Sequence, residues 1–184
     1  KKKKLNITEI FKYIKDISET LNYIHNLGFI YCDLKLENII ITNDGAKIVD
    51  FGQVRKKNCN SISQITTPSY LPIECIYSKK NYVEKSDYWC LGIILIIMIY
   101  NIHPFYCNYK YTNYNNLIEN SDSIINDIFN NCNSSISIDY KSLGKIQDLI
   151  FKLMDHNIQK RYGYKELKYD FIWFDLFDKS YNDI

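Results

Sequence analysis

Between Trp89 and Ile102 the chain reads WCLGIILIIMIYNI, an apolar run without a charged residue on any side. As a helix it would have no polar face to turn to water, so it must be surrounded. It is also too short for a bilayer, whose ~30 Å hydrocarbon layer takes ~20 residues of helix. The run therefore predicts the buried centre of a helical domain, and no membrane span. A chain of 184 residues is long enough to wrap one such core and fits a single domain.

The elements that would do the wrapping are legible by period. Ile7, Ile10, Phe11, Ile14, Ile17, Leu21 and Ile24 recur at helical spacing between Asn6 and Leu27. Asn6 and Glu9 read as a capping box, and Gly28 stands where a helix C-terminus needs a residue tolerant of positive φ. "NIIIT" and "AKIV" flank the turn signal "NDG", which predicts a β-hairpin from about Asn38 to Val49. Residues 52–69 show no sustained period and read as a surface loop. Ser86 to Tyr100 is the buried helix, broken by "NIHPF" and followed by a weaker amphipathic stretch. "NNCNSSISIDYKS" reads as a flexible Asn/Ser-rich insertion. Leu143 to His156 restores helical period through Ile146, Leu149, Ile150, Leu153 and Met154. No internal repeat is visible. The class is mainly α with a small β-hairpin element.

Composition removes several functions. A net charge of +2 gives no ground for a nucleic-acid partner, and the opening "KKKK" reads as a solvated tip. The six cysteines form no CxxC pair and the three histidines do not cluster with them, so neither zinc nor a disulfide framework is indicated. Free cysteines suit a reducing, intracellular and cytoplasmic setting. The N-terminus, charged and then amphipathic, lacks the apolar segment of a secretory signal.

The hairpin concentrates the polar chemistry. Asp33, Lys35 and Asn38 precede its first strand and Asp50 follows its second, so folding the hairpin draws them together. Singly, such residues are ordinary turn and cap residues. As an ordered set with their surroundings they resemble the protein kinase family. "YCDLKLEN" resembles the catalytic loop written HRDLKxxN, and "DFG" follows it as the metal-binding loop. "TTPSYLPIE" resembles GTPxYxAPE, "SDYWCLG" resembles DxWSLG, "NIHPF" resembles GxxPF, and "NIQKRYG" resembles the late segment that carries a buried arginine. Tyr31, Lys35 and Thr67 favour the Ser/Thr type, and the wording is closest to the cyclic-nucleotide-dependent (AGC) branch.

The resemblance implies phosphoryl transfer from ATP to a protein hydroxyl, with Mg2+. Such chemistry needs positioning and charge neutralisation more than covalent help. Asp33 would orient the acceptor hydroxyl and take its proton, and Lys35 would neutralise charge on the moving phosphate. Asn38 and Asp50 offer hard oxygens for the metal. Lys35, Glu37, Asn38, Ile40 and Asp50 would together meet the nucleotide, with Ile40 and Met98 in the apolar stack beneath adenine. Glu74 and Arg161 would form a buried ion pair. Asp87 would accept backbone hydrogen bonds from the catalytic loop, and it also suits a helix N-cap.

The sequence departs from the pattern in three places. Cys32 replaces the arginine beside the catalytic aspartate, which removes a clamp for a phosphate at Ser63 and leaves Arg55 as a single cation. "PIE" and "TTP" replace APE and GTP, Thr66 stiffening the docking loop, and Ile97 replaces a glutamate of basophilic relatives. Nothing before Asn6 resembles an N-lobe. The expectation is therefore a C-terminal kinase lobe over 1–184, whose N-lobe is absent from this chain and without which the isolated fragment is inactive. The alternative is a pseudokinase or non-catalytic scaffold that docks partners.

Overall fold

The computed structural model describes residues 5–58, 67–75, 82–105, 119–136 and 138–170. Ser63 and Thr66 lie outside them. The first helix, α1 (Ile7–Asn26), begins on the expected capping box. The Asn6 carboxamide oxygen accepts from the Glu9 amide at 2.8 Å, and the Asn6 amide donates to Glu9 Oε2 at 2.9 Å. Past its end, Gly28 takes φ 84°, a left-handed step that costs a glycine little.

The apolar run forms α2 (Glu84–Tyr100), buried continuously from Ser86 to Ile96 and again at Ile99 and Tyr100. It lies between α1 and a helix that we label α4 (Tyr140–Leu153). Ile10, Ile14, Ile17 and Leu21 of α1, Ile93 and Ile94 of α2, and Ile146 and Ile150 of α4 make one core. The described residues also include a shorter amphipathic helix, α3 (Ser121–Asn131), and a short one, α5 (Tyr164–Tyr169). The run is central, as its lack of a polar face requires.

The hairpin is β2 (Ile39–Thr42) and β3 (Gly45–Ile48), paired antiparallel with Ile39 opposite Ile48 and Thr42 opposite Gly45. A second antiparallel pair was not legible: β1 (Phe29–Ile30) with β4 (Arg55–Lys56). Two-residue strands carry no period, so the loop reading of 52–69 missed β4. It missed a 3-10 turn at Pro68–Tyr70 as well.

The flexible-insertion reading of 130–142 is also corrected. Asn131 closes α3, and α4 begins at Tyr140, where Asp139 caps it by accepting from the Ser142 amide at 2.9 Å. Between them, Ser135 donates both its amide and its hydroxyl to the Ile99 carbonyl, each at 2.7 Å. The tie runs to a residue far away in sequence, so local composition could not reveal it. Among the described residues no helix is long and apolar enough to cross a membrane.

His103, in the break after α2, gives the fold a pH dependence. Its ring packs edge-on against Tyr70 with centroids 4.9 Å apart, and its Nδ1 accepts from the Phe105 amide at 3.1 Å. Burial lowers its pKa from 6.5 to about 4, against a smaller opposing pull from Glu37. Between those values the unfolded chain binds a proton that the native ring refuses, so stability rises with pH. The His103 contribution is complete above pH 6.5 and is lost as pH falls toward 4. Urea midpoints at about pH 7 and about pH 4.5 should therefore separate less in His103→Leu than in the wild type. Equal separations would mean that His103 titrates normally.

Candidate active site

The 3-10 turn Leu36–Asn38 ends the loop that follows β1 and delivers Asn38 into the hairpin. The Val49 amide donates to the Asn38 carbonyl at 2.9 Å, so the residue before β2 and the residue before Asp50 face each other across the ladder. The hairpin brings Asn38 and Asp50 to one end, as expected.

Asp33 is almost wholly buried, and its carboxylate is a junction. Oδ2 accepts from Lys35 Nζ at 2.8 Å and from the Asn38 amide nitrogen at 3.0 Å. Oδ1 accepts from the Thr67 hydroxyl at 3.1 Å, and that hydroxyl in turn accepts from Lys35 Nζ at 2.9 Å. Asn38 also donates to the Asp33 carbonyl at 2.9 Å. Three of the four expected polar residues thus form one cluster, with Thr67 as a fourth member. An amide whose nitrogen faces Asp33 carries its oxygen on the other side. Asp50 is exposed, and its Oδ1 accepts from the Gly52 amide at 3.2 Å.

The backbone at this site is held in unusual conformations. Cys32 (φ 71°) and Asp50 (φ 62°) both lie in the left-handed region, where a side chain crowds its own backbone. Non-glycine residues stay there only when their surroundings over-determine them, and functional sites are where this recurs. For Cys32 the determinant is Asp87, which is 0% exposed. Its carboxylate accepts from the amides of Tyr31 (3.1 Å) and Cys32 (3.0 Å). The N-cap role does not hold: α2 is capped at Val83, whose amide donates to Ser86 Oγ.

Two partners of Asp87 escaped the sequence reading. His25 meets Oδ2 at 2.7 Å, and the Tyr82 hydroxyl donates to Oδ1 at 2.9 Å. A histidine on the apolar stripe of α1, one turn beyond Leu21, was the available signal for the first. On the other side, the Tyr31 hydroxyl donates to the carbonyls of Val49 (2.5 Å) and Asp50 (3.0 Å). That joins the loop after β1 to the strained Asp50 backbone.

Glu74 and Arg161 pair as expected and in the strong bidentate form. The guanidinium donates to Oε1 at 2.7 Å and to Oε2 at 2.8 Å, lies over the Trp89 ring at 5.0 Å, and is 0% exposed. Ser86 adds a hydrogen bond to Glu74 at 2.6 Å.

Arg55 does not stand out as a cation for a phosphate. It is buried, donates to the Tyr82 carbonyl at 2.8 Å and lies 5.5 Å from the centre of the Tyr82 ring. Burial, then the charge of Asp87, pushes the neighbouring Cys32 thiol up to about 12, which fits a passive core residue. Ile40 (50%) and Phe51 (53%) are exposed, Glu37 is exposed, and Met98 packs partly buried against the helical core.

Residues 1–172 match the family model described as the protein kinase domain. Rat serine/threonine-protein kinase Sgk3 is 32% identical over 84% of this chain and 29% of its own length. Human serine/threonine-protein kinase Sgk1 is 34% identical over 58% of the chain and 25% of its own length, and zebrafish Sgk1 is 36% identical over the same shares. The chain thus spans between a quarter and three tenths of the length of these curated relatives.

Proposed function

Because this chain belongs to the protein kinase family, Ser/Thr type and AGC branch, we propose that it is the large C-terminal lobe of a serine/threonine kinase. Paired with an N-lobe, it transfers phosphate from ATP to Ser/Thr hydroxyls of a protein substrate. The observation that carries this reading is the Asp33 junction: a buried carboxylate fixed by Lys35, Asn38 and Thr67. Asp33 takes the proton of the acceptor hydroxyl. Lys35, 2.8 Å from it, balances charge on the transferring phosphate.

The donor set fits magnesium. Among the described residues no three His, Cys, Asp or Glu side chains gather as a metal cage. One carboxylate and one amide oxygen, Asp50 and Asn38, are what Mg2+ accepts when phosphates and waters supply the rest. Asn38 and Asp50 would hold the ion, which would supply charge neutralisation to the phosphates. Lys35, Glu37, Asn38, Ile40 and Asp50 are the residues on this chain that meet the nucleotide, with Ile40 presenting apolar surface to the base. The described cysteines are all free, in keeping with a reducing intracellular, cytoplasmic setting. Nucleic acid has no part in this reading.

Single-turnover transfer tests it. Alone, the chain should label a Ser/Thr protein substrate negligibly, because positioning supplies most of the rate in this chemistry. The parent protein carrying its N-lobe should label it with Mg2+ and ATP. A parent protein that binds partners but transfers no phosphate would support the scaffold reading instead.

A further inference from the structure

Among the described residues the hairpin that carries Asn38 and Asp50 has two strands, which leaves the outward-facing amides of its edge to other partners. Asn38 and Val49 are a hydrogen-bonded pair. Bonded and non-bonded pairs alternate in an antiparallel ladder, which makes Ile41 and Ala46 a non-bonded pair. The Ala46 amide therefore faces away from β2. Asp16, in the middle of α1, receives it: Oδ2 accepts from the Ala46 amide at 2.9 Å. The approach depends on the preceding residue. Gly45 adopts φ 129°, and a Cβ built on it would fall onto the Asp16 carboxylate.

We infer that Asp16 is a positioning residue for the Asn38–Asp50 pair, seated through the Gly45 gap. It gives the Ala46 amide, from α1, the acceptor that a third strand would supply. A one-residue slip of the hairpin would carry the residues at its open end to opposite faces. The core face of β3 alone opposes such a slip weakly, since only Ala46 and Ile48 are buried among its non-glycine residues. The Asp16 contact adds a directional tie. This inference rests on the reading that Asn38 and Asp50 hold the metal and phosphate.

Hydrogen exchange on the full chain tests the tie. Asp16→Ala should raise exchange of residues 39–48 by ~10-fold while leaving α2 unchanged, and Gly45→Ala should do at least as much. Asp16→Asn keeps an accepting oxygen and should stay near the wild type. Adding Asp16→Ala to Gly45→Ala should change little more, since both break one contact. In the parent kinase, Asp16→Ala should raise the Mg2+ needed for half-maximal transfer by ~10-fold and leave KM for the protein substrate unaltered. Hairpin exchange that is unchanged, or that rises equally in α2, overturns the tie. A loosened hairpin with a normal Mg2+ requirement overturns the positioning role. If the wild-type parent transfers no phosphate, the functional reading fails, and exchange alone still decides the tie.

Discussion

Asp33→Ala should lower single-turnover phosphoryl transfer in the parent kinase by roughly 10²–10⁴, the range expected of a positioned general base. Nucleotide binding should survive, because in the proposed reading Asp33 serves the acceptor hydroxyl whereas Asn38 and Asp50 serve the metal and nucleotide. Asp50→Ala should abolish transfer by a different route, through loss of the carboxylate proposed to hold the metal, and should weaken Mg2+-dependent nucleotide binding as well. The contrast between the two carries the information. If both variants lose transfer and nucleotide binding alike, the site has collapsed, and Asp33 has no distinct chemical role. If wild type and Asp33→Ala are equally inactive in the parent protein, the lobe docks partners without catalysis. Asp33→Asn sharpens the comparison: it preserves volume and accepts from Lys35 at one atom, but it cannot take a proton.

Arg161→Ala should destabilise the fold by ~3–5 kcal/mol, the cost of stranding a desolvated charge. Glu74 would lose both arms of a bidentate pair and retain the Ser86 hydroxyl. Trp89 would lose the guanidinium stacked 5.0 Å above it, and the carbonyls of Asp155 and Lys85 would lose a donor. Arg161→Lys should recover little, since an ammonium has neither the fork nor the plane. Urea denaturation measures the loss. A value below about 1 kcal/mol would place the pair among exposed salt bridges. Glu74→Gln with Arg161→Met, which removes both charges, should be milder than either single change because no uncompensated charge remains.

What the sequence determined on its own was set by near neighbours. The Asn6–Glu9 box closes over three residues, Gly28 satisfies a local dihedral, and the hairpin turn joins strands that follow one another. The apolar run could only be central, whatever surrounded it. Asp33, Lys35, Asn38 and Asp50 were legible as a set because their order along the chain matches a family pattern; the fold gathers the first three into one cluster, and the hairpin brings Asp50 to the Asn38 end of its ladder. The tertiary structure alone decided which distant residues meet them. Whereas the backbone bonds to Asp87 were expected from the family pattern, Thr67 reaches Asp33 across 34 positions and Asp16 reaches Ala46 across 30. None of these partners is distinguished by its own neighbours, and Arg55 was misread for that reason. Its charge suggested a free cation, whereas pairing of β1 with β4 turns it inward onto Tyr82. A hydrogen bond needs donor and acceptor within about 3 Å. Residues far apart in the chain meet that condition only after the core has packed, so their pairing is a property of the fold.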